Sequence, residues 1–215
     1  TLSSSSAASD VYKRQDKNGA TWRSADELLA QALRYRTYWK NGGGITVSGG
    51  EPLLQIDFLL DLFKKAKAKG IHTTIDTAGS PFTREEPFFS KFQELMQYTD
   101  LLLVDIKHID EKSHKELTEK TNKNILDMIR FLSDIKKPVW IRHVLVPERS
   151  DYDEYLNRLN DFIQTLDNVE RVEILPYHTL GAYKWKELGL DYPLEGINPP
   201  SRERVENAKK ILHCS

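Results

Sequence analysis

The stretch LLLVDIK, residues 101–107, combines a short apolar run with charged residues at its end. Four consecutive apolar residues of this kind predict a β-strand that is buried on both faces, as is typical of parallel sheets. Asp105 and Lys107 are two positions apart, so their side chains should lie on the same face of the strand. The stretch therefore predicts a parallel sheet that carries charged groups at the carboxyl end of one strand.

Similar short strands alternate with amphipathic helices along the rest of the chain. The predicted strands lie at residues 45–47, 71–79, 101–107, 139–147 and 169–178. The predicted helices lie at residues 23–39, 55–70, 124–135 and 151–166, with one more opened by Thr83 and Glu86 and a last one from about Ser201. Ser24 and Glu27 match a capping box at the start of the first helix. Strand and helix alternate about five times in units of roughly 30 residues, which predicts an α/β fold with right-handed crossovers.

Two architectures fit this alternation. In a (β/α) barrel the carboxyl ends of the strands form the active-site face, and in a doubly wound sheet they flank a crevice. Five strands are too few to close an eight-stranded barrel, so an open or partial (β/α) barrel is the better prediction. In both architectures the polar residues at the strand ends converge on one site.

The composition is that of one large globular domain and excludes several classes of protein. The chain has 215 residues, of which 39% are hydrophobic and 29% charged, and its formal net charge is -1. No basic field is present to recruit nucleic acid, and no apolar run approaches the ~20 residues of a membrane span. We therefore expect neither nucleic acid nor a membrane as a partner. The single cysteine, Cys214, excludes an internal disulfide and fits a cytoplasmic location.

Residues 1–15 read TLSSSSAASDVYKRQ and differ from the rest of the chain. They are rich in serine and alanine, then basic, and they show no apolar period. Because they lack a long apolar core, they do not match a signal peptide. We interpret residues 1–15 as a disordered or foreign segment, with a natural flexible tail as the alternative, and residues 16–215 as the folded domain.

The first predicted strand is followed by Ser48, Gly49, Gly50 and Glu51, within the stretch GGGITVSGGEP at residues 42–52. The glycines would let a ligand meet backbone N–H and C=O groups without interference from a Cβ atom. The Glu51 carboxylate would suit the ammonium group of a ligand. The alternative is a glycine turn between strand and helix, with Glu51 favoured near the helix start by the helix dipole. No Gly-Lys-Ser/Thr follows, so the stretch is not a phosphate loop.

Charged residues also stand at the ends of the next two strands. Asp76 and Asp105 could accept hydrogen bonds from ribose hydroxyls or hold a cation, and the alternative is that each caps the loop that follows it. Lys107 could neutralise a substrate carboxylate or form a Schiff base, and the alternative is a lysine that is only ion-paired or extends to solvent.

Arg142 lies in the stretch VWIRHV, and His178 lies in LPYHTLG. An arginine that points from a strand to the mouth of a barrel suits bidentate binding of a carboxylate, and its alternative is a salt bridge across the strand ends. A lone histidine is more often structural than chemical, and both roles stay open for His178. From the residues alone, the chain is predicted to be a (β/α) enzyme with a polar site at the strand ends.

These stretches together resemble the radical SAM enzymes, and among them the activases of glycyl-radical enzymes. The resemblance covers the chain from about Thr21 to its end. It rests on the following stretches in this order: GGGITVSGGEPLLQ, IHTTIDTAG, LLLVDIKHID, VWIRHVLVPERSD, ILPYHTLGAYKWKELG and NPPSRERVENAKKIL. SGGEP alone is typical of the superfamily, whereas the ordered set is specific to the activases.

The resemblance implies a cofactor site at the strand ends. In this family a Gly-Gly-Glu element binds the amino group of S-adenosylmethionine, and the matching residues here are Gly49, Gly50 and Glu51, directly preceded by Ser48. The family's other contacts with this cofactor fall on Asp76, Lys107 and His178.

The resemblance also implies a monovalent cation and two candidate catalytic residues. The family's cation site is matched by Asp76, Thr77 and Asp105, together with the carbonyl of Leu103. Arg142 matches a residue that lines the site near the cofactor and the substrate peptide. The candidate catalytic residues are therefore Lys107 and Arg142.

The chemistry that the resemblance implies is that of an oxidoreductase that generates a glycyl radical. In the family a reduced [4Fe–4S] cluster gives one electron to S-adenosylmethionine. The 5′-deoxyadenosyl radical that results takes a hydrogen atom from a glycine of pyruvate formate-lyase or a related glycyl-radical enzyme. Flavodoxin or ferredoxin is the implied electron donor. The cofactors carry the difficult chemistry, and the protein positions them.

The chain departs from the family at the cluster. The family's CxxxCxxC loop, and the first barrel strand before it, have no counterpart in these residues. One cysteine cannot hold an iron–sulfur cluster. We therefore expect an N-terminally truncated activase, a partial radical SAM barrel without the first strand and the cluster loop, that is inactive as it stands. The alternatives are a cluster-free protein that binds S-adenosylmethionine without catalysis and an aldolase-like barrel with Lys107 as a Schiff-base residue.

Overall fold

The computed structural model describes residues 23–39, 42–181, 183, 187 and 189–214. The predicted N-terminal segment, residues 1–15, and the predicted domain boundary at residue 16 lie outside the described residues. Within the described residues, strands and helices alternate along the chain.

The described residues form a parallel sheet whose strands are β1 Gly44–Val47, β2 His72–Thr77, β3 Leu101–Asp105, β4 Val139–Leu145 and β5 Val169–Pro176. The spatial order of the strands is their order in the chain. Each strand therefore pairs with the next one, and the order never reverses as it does in a doubly wound sheet. The structure confirms the predicted α/β fold and agrees with a partial (β/α) barrel.

Helices precede, separate and follow the strands, and the local sequence explains where several of them begin. Their bounds are α1 Ala25–Leu33, α2 Ile56–Lys67, α3 Phe88–Gln97, α4 Glu111–Thr118, α5 Lys123–Asp134, α6 Asp153–Ile163 and α7 Arg202–Ile211. The Ser24 hydroxyl accepts a hydrogen bond from the Glu27 N–H, and the Glu27 carboxylate accepts one from the Ser24 N–H, so a capping box starts α1. The Ser201 hydroxyl caps α7 by accepting from the Arg204 N–H. None of the helices in the described part of the chain is long and apolar enough to cross a membrane.

The main core lies between the helices and one face of the sheet. Ile75, Leu102 and Ile141 of the three central strands have no exposed surface, and they belong to one cluster with Phe63 of α2 and Phe92 of α3. Each of these large side chains contributes about 1.5–3 kcal/mol when it leaves water. Because alternate residues of a strand point to opposite faces, the residues between them point away from this core.

The strand β3 is buried on one face, not on both as its apolar run predicts. Leu102 and Val104 are buried, whereas Leu101, Leu103 and Asp105 are half-buried. The helices cover only the face of Leu102 and Val104. The apolar side chains of Leu101 and Leu103 therefore stand on a face that keeps partial access to solvent. An apolar run of this length does not by itself distinguish burial on one face from burial on both.

Two helix predictions need correction. The helix α3 begins at Phe88 and not at Thr83, because the Thr83 hydroxyl accepts a hydrogen bond from the Glu85 N–H at 3.2 Å and forms a local turn. The helix α4 was not predicted, because its charged sequence has a weak apolar pattern. It begins after Asp110, whose carboxylate accepts from the Ser113 N–H at 3.0 Å and so caps the helix.

Candidate functional site

The carboxyl ends of the five strands lie along one edge of the sheet, because every strand pair is parallel. Residues 48–51 follow β1, and residues 76–77 end β2. Asp105 ends β3, and His178 follows β5. Arg142 lies in the middle of β4, but its partner in the register is Asp105. The fold therefore brings the predicted site residues to the same edge.

Four charged residues from β2, β4 and the end of β3 form one connected cluster, here called the charged tetrad: Asp76, Asp105, Lys107 and Arg142. Arg142 Nε donates to Asp105 Oδ1 at 2.9 Å, and Arg142 Nη2 donates to Asp76 Oδ1. Lys107 Nζ donates to Asp105 Oδ2 at 2.7 Å. The two positive and two negative groups balance, with Asp105 bound to both cations. Lys107 and Arg142 thus form the ion pairs that the sequence left open as alternatives.

The charged tetrad is largely withdrawn from solvent but remains reachable. The side chains of Asp105 and Lys107 are each 14% exposed, that of Arg142 is 17% exposed and that of Asp76 is 24% exposed. Burial raises the pKa of Asp76 above its ordinary value of 3.8, and the adjacent Arg142 guanidinium opposes this rise. Low exposure strengthens the electrostatic interactions within the cluster and with any ligand that reaches it.

Glu51 joins the turn after β1 to the end of β2. Its Oε1 accepts from the Thr77 hydroxyl at 2.5 Å and from the Leu53 N–H at 3.1 Å, and its Oε2 accepts from the Ala78 N–H at 3.0 Å. Burial raises the pKa of Glu51, and these three hydrogen bonds oppose the rise. The carboxylate also caps the 3-10 helix Pro52–Gln55, as the turn alternative predicts. Glu51 therefore holds two strand ends together.

The glycine pair before Glu51 has a backbone conformation that other residues rarely adopt. Gly49 has φ 90° and Gly50 has φ 57°. A Cβ atom on Gly49 would meet nothing within 4 Å, so the need for glycine here is conformational and not steric. Ser48, Gly49 and Gly50 are exposed. The N–H and C=O groups of this turn are therefore open to a ligand.

The residues predicted to hold a monovalent cation lie on two faces of the sheet. Asp76 and Asp105 share the Arg142 guanidinium on one face, and Leu103 is the register partner of Asp76. Thr77 is 2% exposed and points to the opposite face, where its hydroxyl takes part in the hydrogen bonds described above. In the structure, the positive group between the two carboxylates is Arg142.

His178 lies at the same edge but apart from the other predicted residues. Its side chain is exposed, and it stands between the buried Tyr177 and the 3-10 helix Thr179–Gly181. Within the described part of the chain, no hydrogen bond joins His178 to the charged tetrad or to Glu51. Hydrogen bonds thus join Glu51 to β2 and join the members of the charged tetrad to one another, whereas His178 lies on the solvent side.

A cavity of about 450 Å³ opens beside Lys107. It lies between the end of β4, the helix α4 and the segments at residues 146–155 and 192–194. Its walls carry the apolar and aromatic side chains of Val144, Val146, Tyr152, Tyr155, Tyr192 and Leu194, and the charged side chains of Glu116, Glu148 and Arg149. The volume is in the range of small-molecule sites. The sequence did not reveal this cavity, because its walls come from separate segments.

The residues of this chain do not fit an iron–sulfur cluster. The one cysteine, Cys214, packs against the core after α7, and burial raises the pKa of its thiol, which disfavours the thiolate that a metal needs. Among the residues that the structure describes, no group of three or more His, Cys, Asp or Glu side chains could hold a metal ion. A [4Fe–4S] cluster requires several thiolate ligands, so its ligands are not among these side chains.

Comparison with known proteins places the chain in a family. Residues 7–162 match the model of the Radical SAM superfamily. The structure of Streptococcus suis SuiB bound to S-adenosylmethionine has the same fold, with a TM-score of 0.66 and 18% sequence identity over 91% of this chain and 42% of that chain. The chain belongs to the radical SAM superfamily, as its strand-end sequence predicts.

Nearer relatives define the branch of the superfamily. The pyruvate formate-lyase-activating enzyme of Streptococcus mutans is 55% identical over 194 residues, which are 90% of this chain and 74% of that protein. The enzyme of the same name from Listeria monocytogenes is 53% identical over 196 residues, 91% of this chain and 79% of that protein. A domain of pyruvate-formate lyase-activating enzyme from Bacteroides vulgatus matches with a TM-score of 0.64 and 28% identity, over 80% of this chain and 94% of that chain. Within the superfamily, the chain belongs to the pyruvate formate-lyase-activating enzymes.

Proposed function

We propose that this chain forms the S-adenosylmethionine site of an activase that acts on a glycyl-radical enzyme. The observation that carries the proposal is the position of the open glycine turn, residues 48–50. Glu51 bonds this turn to the end of β2, which also carries Asp76 of the charged tetrad. Membership of the radical SAM superfamily supplies the identity of the cofactor.

The groups at this edge match the chemical groups of S-adenosylmethionine. The exposed carbonyl groups of the glycine turn suit the ammonium group of the methionine part, and the Lys107 ammonium suits its carboxylate. The Asp76 carboxylate suits the ribose hydroxyls. His178 is the proposed contact from the solvent side. Glu51 keeps the turn in place through its three hydrogen bonds, and its carboxylate is the further proposed contact for the ammonium group, since a carboxylate can accept about four hydrogen bonds.

The bound cofactor supplies the one-electron chemistry, and the residues of this chain bind and orient it. Arg142 holds Asp76 and Asp105 at a fixed separation, and Lys107 keeps a positive charge at the rim of the cavity. A monovalent cation at Asp76, Thr77, Leu103 and Asp105 would compete with Arg142 for the same carboxylates. We therefore propose cation binding only in exchange for the Arg142–Asp76 ion pair.

The proposed protein substrate is pyruvate formate-lyase or a related glycyl-radical enzyme, with flavodoxin or ferredoxin as the electron donor. The cavity beside Lys107 supports a peptide ligand, because its walls combine apolar and aromatic side chains with charges of both signs. A chain with a formal net charge of -1 has no extended basic field, so recognition of the partner depends on local contacts.

Calorimetric titration of the 215-residue chain with S-adenosylmethionine tests the proposal. We expect saturable binding that Gly49→Ala weakens, because alanine disfavours φ 90° and displaces the turn. Gly70→Ala is the matched control. Gly70 has φ 66°, an added Cβ there also meets nothing within 4 Å, and the residue precedes β2 at the opposite edge of the sheet.

Equal affinity in the two glycine variants would contradict the assigned turn, and no binding to a chain that melts cooperatively would refute the cofactor site. Anaerobic reconstitution of the same chain should give no [4Fe–4S] absorption, since it has one cysteine. The aldolase-like alternative predicts instead that borohydride traps a small carbonyl compound on Lys107.

A further inference from the structure

Arg142 and His143 are neighbours in β4, and their side chains point to opposite faces of the sheet. Arg142 contacts Asp105 on the polar face, as described above. His143 is 3% exposed on the buried face, where Nδ1 lies 2.8 Å from the Ile106 carbonyl oxygen and Nε2 lies 3.2 Å from the Ser150 carbonyl oxygen. The adjacent residues Arg142 and His143 of β4 therefore contact Asp105 and Ile106, which are adjacent at the end of β3.

Ile106 lies between Asp105 and Lys107, where the chain leaves β3. Its N–H donates to the Arg142 carbonyl at 2.9 Å and continues the pairing of β3 with β4. Its own carbonyl accepts from the His143 ring. Because both polar groups of Ile106 are bound to β4, the direction in which the chain enters Lys107 is restrained.

The geometry assigns the ring proton of His143 to Nδ1. A neutral imidazole has one N–H, and both ring nitrogens of His143 face carbonyl oxygens. Burial lowers the pKa of His143, which favours the neutral ring. The shorter contact, 2.8 Å against 3.2 Å, is the one to Ile106. In the neutral ring, the hydrogen bond to Ile106 is therefore the one that His143 donates.

A second buried histidine ties the same two segments together through the opposite tautomer. His108 is 1% exposed, and its Nδ1 accepts from the Asp110 N–H at 3.0 Å. Its proton is therefore on Nε2, which donates to the Arg149 carbonyl at 3.3 Å. Arg149 precedes Ser150, so the two rings connect the segment after β3 with one short stretch of the loop after β4.

We propose that His143 is a positioning residue that acts on Lys107 through the Ile106 carbonyl. It holds Lys107 where the ammonium pairs with Asp105 and faces the carboxylate of S-adenosylmethionine. The part that concerns the cofactor rests on the function proposed above. A histidine that only fills space beside β4 would have no specific effect on Lys107.

Asparagine and glutamine at position 143 separate the two contacts of the ring. The side-chain nitrogen of asparagine falls near the position of Nδ1, and that of glutamine falls near Nε2. His143→Asn therefore keeps a donor for Ile106, whereas His143→Gln loses it. We expect the Kd for S-adenosylmethionine to stay within about threefold in His143→Asn and to rise about tenfold in His143→Gln, the effect of one buried hydrogen bond.

The same substitutions in a Lys107→Met background show whether the effect passes through Lys107. We expect His143→Gln to cause no further weakening there. Equal loss of affinity in the Asn and Gln variants, or a tenfold loss that persists without Lys107, would overturn the proposal. Melting curves of both variants establish that the folded chain is being compared.

Two measurements do not depend on the cofactor. Ring ¹⁵N spectra of the unaltered chain should show His143 protonated on Nδ1 and His108 on Nε2, and an Nε2 proton on His143 would refute the assignment. Acetylation of Lys107, followed by mass spectrometry, should be faster in His143→Gln than in His143→Asn. If the chain does not bind S-adenosylmethionine, the proposed function fails, while equal acetylation rates would refute the positioning role by itself.

Discussion

Replacing Arg142 by methionine tests whether the charged tetrad stabilises the fold or behaves as a group of surface ion pairs. Methionine keeps much of the apolar stem and removes the guanidinium with its hydrogen bonds to Asp76 and Asp105. The tetrad then has two carboxylates and one ammonium, so its balanced charge becomes negative. Lys107 is bonded to Asp105, which leaves Asp76 as the carboxylate without its cation.

The magnitude follows from how far these side chains are withdrawn from water. Breaking a buried ion pair by removing one partner costs about 3–5 kcal/mol, and an exposed pair contributes about 0–1 kcal/mol. The tetrad side chains are 14–24% exposed, so screening reduces the first figure and we expect a loss of about 2–3 kcal/mol at pH 7. For a chain of this length, such a loss lowers the melting temperature by roughly 4–12 °C.

Urea unfolding at pH 7 measures this loss, and two further variants interpret it. Asp76→Asn added to Arg142→Met should restore about 1 kcal/mol or more, because it removes the carboxylate that lost its partner. Lys115→Met makes the same change in net charge at an exposed pair, where Lys115 contacts Glu111 at 2.8 Å, and it should leave the unfolding midpoint almost unchanged. If Arg142→Met were as stable as this control, the tetrad would be solvated like a surface pair and the argument from burial would be wrong.

Three further substitutions test other parts of the structure. Gly44→Ala should lower the melting temperature by several degrees, because the new Cβ would lie 1.9 Å from the His72 carbonyl oxygen of β2; an unchanged value would contradict this close approach. Glu51→Gln should cost about 1–3 kcal/mol in urea unfolding, since an amide nitrogen cannot accept the hydrogen bond that Ala78 donates. Burial lowers the pKa of His114 from 6.5 to about 4, so the unfolded chain binds more protons between these values and stability falls as the pH falls through this window. Over the window the loss should reach about 3 kcal/mol, and His114→Gln should remove this part of the pH dependence when unfolding is measured at pH 4.5 and pH 7.

The strands and the edge that carries the site could be predicted because both depend on short-range patterns. Because side chains alternate between the two faces of a strand, Asp105 and Lys107 were expected to share a face. In the structure, Lys107 Nζ lies 2.7 Å from Asp105 Oδ2. Parallel strands place their carboxyl ends at one edge, which is why the polar residues after each strand were expected to meet. The capping box at Ser24 was equally local and is present in the structure.

The partners of the site residues could not be predicted, because they depend on strand register and on loops distant in sequence. Arg142 meets Asp105 because β3 and β4 pair in one register, across 37 residues of sequence. Glu51 could have faced a ligand or closed a turn, and only the position of β2 decides that Thr77 is its partner. His143 lies next to Arg142 in the sequence, yet its contact with Ser150 depends on the loop that follows β4.

The binding role proposed for Lys107 requires that the end of β3 be held in place. An ammonium has three N–H donors, and Lys107 uses one of them for Asp105 in the described structure. In the proposed site, Lys107 would bind the ligand carboxylate while it keeps its contact with Asp105, which requires its nitrogen to stay within reach of both. A small rotation at Ile106 would break that arrangement and cost two charge-assisted contacts at once. On the role proposed for His143, restraint of Asp105 by Arg142 on one face and of Ile106 by His143 on the other would oppose this rotation and keep the paired lysine available to the ligand.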